Sequence, residues 1–365
     1  MQLHKIRLFN FKNYEELSLD LGQKMYCIFG KNGSGKTNLL DAIHYLSFTK
    51  SSINSSDSFV VRQNQNQFLI KGTFKGTGNE KEVQCSFVNG KKTVLTDGQP
   101  YQKFSEHIGQ FPVVLVAPQD IELIWNGSEL RRKFFDSLIS QVDKNYLENL
   151  IVYINQLKQR NGLLRLSAEG RIDKDLLATY DDRLSVAGET LFLKRRQFMI
   201  EFLPIFQKHY TYLADSLEEV SIQYESELEK SSFSEILKKN LERDLLMQRT
   251  TSGIQRDDFN FVLSGTDIKR TGSQGQQKSF LIALKLTEFQ IIADSKGTKP
   301  ILLLDDIFDK LDDHRIQKLM KLVAGGAFGQ IFLSDARPAR SSEILKEAGI
   351  KAEILLVENG QINHG

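Results

Sequence analysis

The sequence is poor in residues that staple or plate a fold. Its 365 residues hold two cysteines, Cys27 and Cys85. No disulfide framework follows, and the chain reads as suited to a reducing compartment, the cytoplasm. Six scattered histidines and these two cysteines form no ligand-spaced cluster, which argues against a structural zinc site. No apolar run reaches membrane length, and no signal peptide is visible, so no membrane partner is expected. Charge of one sign is also missing. Lys and Arg total 48 against 46 Asp and Glu, a net charge of +2. That balance neither demands nor excludes a nucleic-acid partner, and any basic surface must be local. What remains is ordinary globular usage, 40% hydrophobic and 26% charged, with enough length for two domains.

The most constrained stretch is Gly30-Lys31-Asn32-Gly33-Ser34-Gly35-Lys36-Thr37. It is a G-x-x-x-x-G-K-[ST] phosphate-binding loop. Its glycines let successive N–H groups turn towards a phosphate. Lys36 can reach the β- and γ-phosphates, and Thr37 can place its hydroxyl on Mg²⁺. The context agrees. Met25–Phe29 reads as an apolar strand before the loop, and Leu39, Leu40, Ile43 and Leu46 recur at helical spacing after it.

Around this loop, residues 2–9 and Leu17–Leu21 alternate as strands. Residues 59–116 read as β-rich, with Phe59–Arg62, Gln67–Phe74, Glu82–Val88, Lys92–Leu95 and Phe111–Val116 as strand candidates. Asn89-Gly90 signals a type I′ hairpin. Ala117–Asp120 is either a lid near a nucleotide or a plain exit loop. From Trp125 the pattern turns helical. Ser128 is positioned to cap a helix holding Arg131-Arg132-Lys133. Two periodic runs, Tyr146–Leu157 and Leu176–Leu191, joined near Ser167–Gly170, suggest a helical hairpin, with Pro204 interrupting the second. The basic runs at 131–133, 194–196 and 238–239 are either solvated helix faces or phosphate contacts, and Arg132 has a structural alternative beside its aromatic pair.

A second half-site lies far downstream. Pro300–Leu304 is an apolar run that reads as a buried parallel strand ending in Asp305-Asp306. Asp305 is the candidate to hold Mg²⁺ and Asp306 the candidate to orient or deprotonate a water. The long separation from Lys36 implies an inserted domain. The boundaries read as 1–124 and 245–365 for an α/β ATPase lobe, with 125–244 a compact helical lobe between them. Ser273-Gln274-Gly275-Gln276-Gln277 precedes a long apolar helix and presents N–H groups and hydroxyls to an anion.

That pentapeptide resembles the signature of ABC-type ATPases of the SMC/Rad50-like class. Asn10–Tyr14, Thr37–Ile43, Ala117-Pro118, Gly127–Arg132 with Asp136, and Arg256–Asp258 narrow the resemblance to the RecF family of bacterial recombination mediators. The resemblance implies an ABC-type head and a head-to-tail homodimer held by ATP and Mg²⁺. In it, the signature residues Ser273, Gln274, Gly275 and Gln276 of one copy cover the γ-phosphate of the other. Asp309–Asp312 would cross that interface, and Gln119 or Ser334 would sense the γ-phosphate. It further implies slow hydrolysis, binding of duplex DNA near gaps and junctions, partnership with RecR and RecO, and roles in recombinase loading, replication restart and SOS induction. One departure stands out: Gly253-Ile254-Gln255 replaces the family's Gly-Pro-His. Two other classes stay open. One is a phosphate-loop phosphotransferase. The other is an ATP-gated interaction scaffold that never touches DNA. No separate acidic constellation supports a nuclease.

Overall fold

The computed structural model describes residues 1–76, 78–166, 173–214, 218–309 and 312–364. They divide into two compact units. The first contains Met1–Ile121, His209–Ser216 and Gln274–Gly365; the second contains Glu122–Lys208 and Leu217–Ser273.

The chain opens with β1 (Gln2–Phe11) and β2 (Tyr14–Asp20), a tight hairpin in which Phe11 opposes Tyr14. The turn places Lys12 at φ 50°, left-handed backbone that a non-glycine residue adopts at some cost. Then come β3 (Met25–Phe29), buried at every position, and α1 (Lys36–Phe48). Next follow β4 (Gln67–Lys75), β5 (Lys81–Val88), β6 (Lys91–Thr96), β7 (Gln99–Pro100) and β8 (Val113–Val116). An antiparallel sheet forms in the order β2-β1-β4-β5-β6-β7. Asn89 and Gly90 both take positive φ, as a type I′ turn requires, and Asp97-Gly98 repeats the device.

Phe59–Arg62 is not a strand. Asp57–Val60 forms a 3₁₀ turn in which the Ser56 side chain accepts from Ser58 N, and only Val61 bridges to Phe11. Local hydroxyl and carboxylate groups compete with ladder bonding there. Val60 is buried and Phe59 exposed.

The second unit begins with α2 (Glu122–Trp125), α3 (Ser128–Val142), α4 (Lys144–Leu166) and α5 (Lys174–Ala214), the last turn of α5 belonging to the first unit. Ser128 does not cap α3: the cap is Gly127, with no side-chain bond. Pro204 does not end α5, which runs through it. A proline removes the bond to the carbonyl four residues earlier. That residue is Ile200, and the helix continues on both sides of the lost bond. The joint near Ser167–Gly170 lies outside the described residues.

The second unit also holds a sheet, β9 (Val220–Glu225), β10 (Asp258–Leu263) and β11 (Thr266–Asp267), in the order β11-β10-β9, of which only β9 falls within the expected helical lobe, 125–244. With α6 (Phe233–Lys239), α7 (Leu241–Met247) and α8 (Ile268–Thr271), this sheet carries the unit to Ser273. Residues 245–273, expected in the ATPase lobe, therefore cluster with the second unit.

Three arginines of the first two basic runs bond inside this unit, while Lys133, Lys194 and Arg196 stay exposed. Arg131 forks onto Asp258 at 2.8 and 2.9 Å, and Arg132 donates to the Asp257 carbonyl at 2.6 Å. Arg195, 2% exposed, donates to Asp136 and Asp257, both at 2.8 Å, and to the Ile254 carbonyl at 3.0 Å. Each of these arginines is held by partners within the second unit, and of the three Arg195 is buried.

The chain returns to the first unit with α9 (Gln274–Lys296), β12 (Ile301–Asp305), α10 (Asp313–Ala324), β13 (Ile331–Asp335), α11 (Pro338–Glu347), β14 (Glu353–Glu358) and β15 (Gln361–His364). A second sheet runs β15-β14-β3-β13-β12-β8, parallel from β14 to β8. One apolar core joins both sheets to α1 through Leu39, Leu40, Ile43 and Leu46. Burial on both faces explains the continuous apolar runs of β3, β12 and β13.

Candidate nucleotide site

In a parallel sheet the carboxyl ends of neighbouring strands form one edge, where ligands of α/β proteins bind. Here β3, β13 and β12 are adjacent. Register places Asp305 opposite Ser334, and Ser334 opposite Ile28. The phosphate loop leaves β3 at that edge, so residues far apart in sequence meet there. Thr37 Oγ1 donates to Asp305 Oδ1 at 3.1 Å, and Ser334 Oγ donates to the same oxygen at 2.5 Å. Asp306 sits at φ 45°, with its N–H on the Ser334 carbonyl and hydroxyl, each at 3.2 Å.

The loop itself is preformed. Lys36, 4% exposed, curls over it and donates to the carbonyls of Gly30 and Lys31 at 2.9 and 3.2 Å. Gly33 and Gly35 take φ of 81° and 124°. Gly30 is glycine for a different reason: a Cβ there would stand 2.4 Å from the Val357 carbonyl oxygen of β14. Ser34 Oγ is buried with no hydrogen-bond partner among the described residues. Lys31 and Asn32 are exposed beside a cleft of about 600 Å³, which is also lined by Pro338 and by Leu356–Asn359.

Several positioning residues lie in the stretches Asn10–Tyr14 and Thr37–Ile43, with no role assigned to them from sequence. The β1–β2 turn clamps the loop: Asn13 Nδ2 donates to the Ser34 carbonyl at 2.9 Å, and the Tyr14 hydroxyl to the Gly35 carbonyl at 3.0 Å. Asn38 in turn donates to Asn13 at 2.7 Å. From the other side, Gly360 N donates to the Ser34 carbonyl at 3.2 Å. Beneath, Lys12 pairs with buried Asp41 at 2.6 Å. Burial alone would raise the Asp41 carboxyl; Lys12 and the Ser51 and Ser52 hydroxyls hold it below the usual carboxylate range. Asn10–Tyr14 carried the family resemblance in the sequence, but nothing in its spacing showed that this turn would brace the loop. Cys27 on β3 is buried and its thiol is pushed up to about 12 by burial, an inert core residue.

Gln119 lies in the 3₁₀ turn Pro118–Ile121, just past β8 and next to β12. The signature segment divides: Ser273 ends the second unit, while Gln274, Gly275 and Gln276 form the first turn of α9 in the first unit. Of Asp309–Asp312, residues 310 and 311 lie outside the described residues, and Asp312 caps α10 by accepting from Arg315 N.

The residues present fit a magnesium nucleotide. Open backbone N–H groups and an ammonium suit phosphates, and a threonine hydroxyl beside a carboxylate suits one face of a cation that keeps waters and phosphate oxygens as its other ligands. Among the described residues no cluster of three or more His, Cys, Asp or Glu could hold a metal by itself.

Residues 2–353 match the family described as RecF/RecN/SMC N terminal domain. The DNA replication and repair protein RecF of Bacteroides fragilis is 44% identical over 365 residues, covering 100% of this chain and 98% of that protein. RecF of Cytophaga hutchinsonii is 43% identical over 363 residues, covering 99% and 96%. Among solved structures, that of the recombination mediator protein RecF-ATPrS in the RecFOR pathway is similar with a TM-score of 0.89 and 29% identity, covering 100% and 98% of the two chains. An Smc head domain from Pyrococcus furiosus, at TM-score 0.56 and 15% identity, shares the fold.

Proposed function

Since the chain belongs to the RecF family of DNA replication and repair proteins, within the RecF/RecN/SMC class, we propose that it is an ATP-gated DNA clamp. It binds ATP with Mg²⁺, dimerises head to tail, and holds duplex DNA beside single-strand gaps and junctions. There it acts with RecO and RecR to load recombinase, in recombinational repair, replication restart and SOS induction in the cytoplasm. The observation that carries this reading is the meeting of Thr37, Asp305 and Ser334 at the mouth of a loop already braced by Lys36.

Each residue has a part. Lys36 exchanges its bonds to the Gly30 and Lys31 carbonyls for phosphate oxygens, which costs little because both states satisfy the ammonium. Gly30–Thr37 present N–H groups to the phosphates. Thr37 and Asp305 hold the Mg²⁺, which neutralises charge developing on the phosphate oxygens. Asp306 orients the attacking water, and Ser334, now bonded to Asp305, reports whether the γ-phosphate is present. Ser273, Gln274, Gly275 and Gln276 complete the neighbouring copy's site. Hydrolysis is slow and resets the clamp.

One observation favours the scaffold reading: the arginines Arg131, Arg132 and Arg195 of the two strongest basic runs are held by partners inside the second unit. Both readings meet the same test. A gapped duplex oligonucleotide is followed by fluorescence anisotropy with ATP·Mg²⁺, with ADP and without nucleotide, at two salt concentrations. The clamp requires tighter, salt-sensitive binding with ATP alone. It also requires loss of ATP-dependent dimerisation in Lys36→Arg, and in Ser273→Arg with nucleotide binding kept. Dimerisation without DNA binding in any state selects the scaffold.

A further inference from the structure

The first turn of α9 carries the signature residues, and one charged side chain lies against it. Arg315, near the start of α10, donates through Nε to Ser279 Oγ at 2.5 Å and through Nη1 to Asp312 Oδ2. Asp312 Oδ1 accepts from Arg315 N at 3.0 Å, which caps α10. The guanidinium also covers Gly275, where a Cβ would stand 3.3 Å from both terminal nitrogens. Ser279 is fully buried, while the Arg315 side chain keeps 20% of its surface. One planar group thus joins the cap that follows the Asp305-Asp306 loop to the helix that begins at Gln274.

Gly275 is the second residue of α9, and a Cβ there would crowd the guanidinium that lies over it. Arginine suits the task because its rigid fork fixes two acceptors at once, which the point charge of a lysine cannot do. The requirement for a fixed position is physical as well. N–H groups that cap a phosphate lose their effect when displaced by about 1 Å, a misplacement that costs on the order of 100-fold in a reacting complex.

We propose that Arg315 is a positioning residue that locks the Gln274–Gln276 segment to the Asp312 cap, so that both meet a second copy's nucleotide as one rigid edge. This rests on the composite-site dimer proposed above. Arg315 contacts none of Gly30–Thr37 in this arrangement. Its loss therefore weakens the dimer and spares the first binding of nucleotide.

The experiment is a double-mutant cycle on ATP-dependent dimerisation, followed by sedimentation velocity, with mant-ATP titration of each variant at protein concentrations that keep it monomeric. Arg315→Ala is expected to weaken the dimer at least tenfold and to leave mant-ATP affinity within twofold of the parent chain. Arg315→Lys stays within threefold of Arg315→Ala. Ser279→Ala weakens the dimer about threefold alone and adds nothing on top of Arg315→Ala, because both act through one contact. The inference is overturned if Arg315→Ala dimerises like the parent chain, if the two effects multiply, or if mant-ATP affinity falls in parallel. A parent chain that fails to dimerise with ATP removes the composite-site reading and this inference together. A parent chain that dimerises beside an unaffected Arg315→Ala removes this inference alone.

Discussion

In the first unit, the charged groups at the edge of the parallel sheet bond to partners that a ligand can replace. Lys36 rests on two carbonyls, and Asp305 accepts from two hydroxyls. In the second unit, equally prominent charges bond to one another. Arg195 is enclosed by Asp136, Asp257 and Tyr146, and Arg160 by Asp181 and Asp244 at 2.5 and 2.6 Å. The residue types are alike, and the difference lies in whether their bonding is exchangeable. A charge held by backbone carbonyls or hydroxyls is poised for chemistry. A charge fully enclosed by its counter-charges is architecture, and a motif alone does not distinguish the two.

The comparison breaks most visibly at Arg195. Arg195→Leu leaves Asp136 and Asp257 buried without their cation, a situation that costs roughly 3–5 kcal/mol. Urea unfolding should show that loss, while the surviving folded fraction binds mant-ATP with unchanged affinity. A shift below about 1 kcal/mol would mean that Arg195 is not structural. A smaller effect belongs to the clamp on the loop. Tyr14→Phe removes one bond to the Gly35 carbonyl, worth about 1 kcal/mol, and should lower mant-ATP affinity roughly fivefold with little change in the urea midpoint. The reverse pattern would place Tyr14 in the core alone.

The smallest effect concerns His44 on α1, whose ring stacks on Phe48 at 4.4 Å. Burial pushes its pKa down to about 4. The folded imidazole stays neutral while the unfolded one protonates below about pH 6.5, so stability falls as pH drops from there towards 4. Partial exposure limits the effect to about 1 kcal/mol. Comparing urea midpoints at pH 7 and pH 5, His44→Phe should flatten the slope of the parent chain. Equal slopes would show that the ring is charged in the folded state.

The phosphate loop, the strand before it and the helix after it were legible in sequence because spacing alone encodes them. The buried strand ending at Asp305 was legible for a similar reason, as a continuous apolar run. Phe59–Arg62 and Ser128 misled because local side chains, not hydropathy, decide 3₁₀ turns and caps. Pro204 misled because a proline removes one helical bond, and the bonds and packing on either side carry α5 through it. The sheet of the second unit escaped notice because its strands are short and far apart in sequence.

By itself, then, the sequence determined the chemical parts: a glycine loop with Lys36 and Thr37, a carboxylate pair, and a Ser-Gln-Gly segment at the start of a long helix. Such parts depend on a few residues at fixed short spacing, which the covalent chain guarantees. Tertiary structure alone decided which parts meet. It set Thr37 and Ser334 on one oxygen of Asp305, braced the loop with Asn13 and Tyr14, and laid Arg315 on Gly275. It also turned Arg131 and Arg195 inward. Those outcomes depend on strand register and on which charges are desolvated together, and both are properties of the packed chain rather than of any stretch of it.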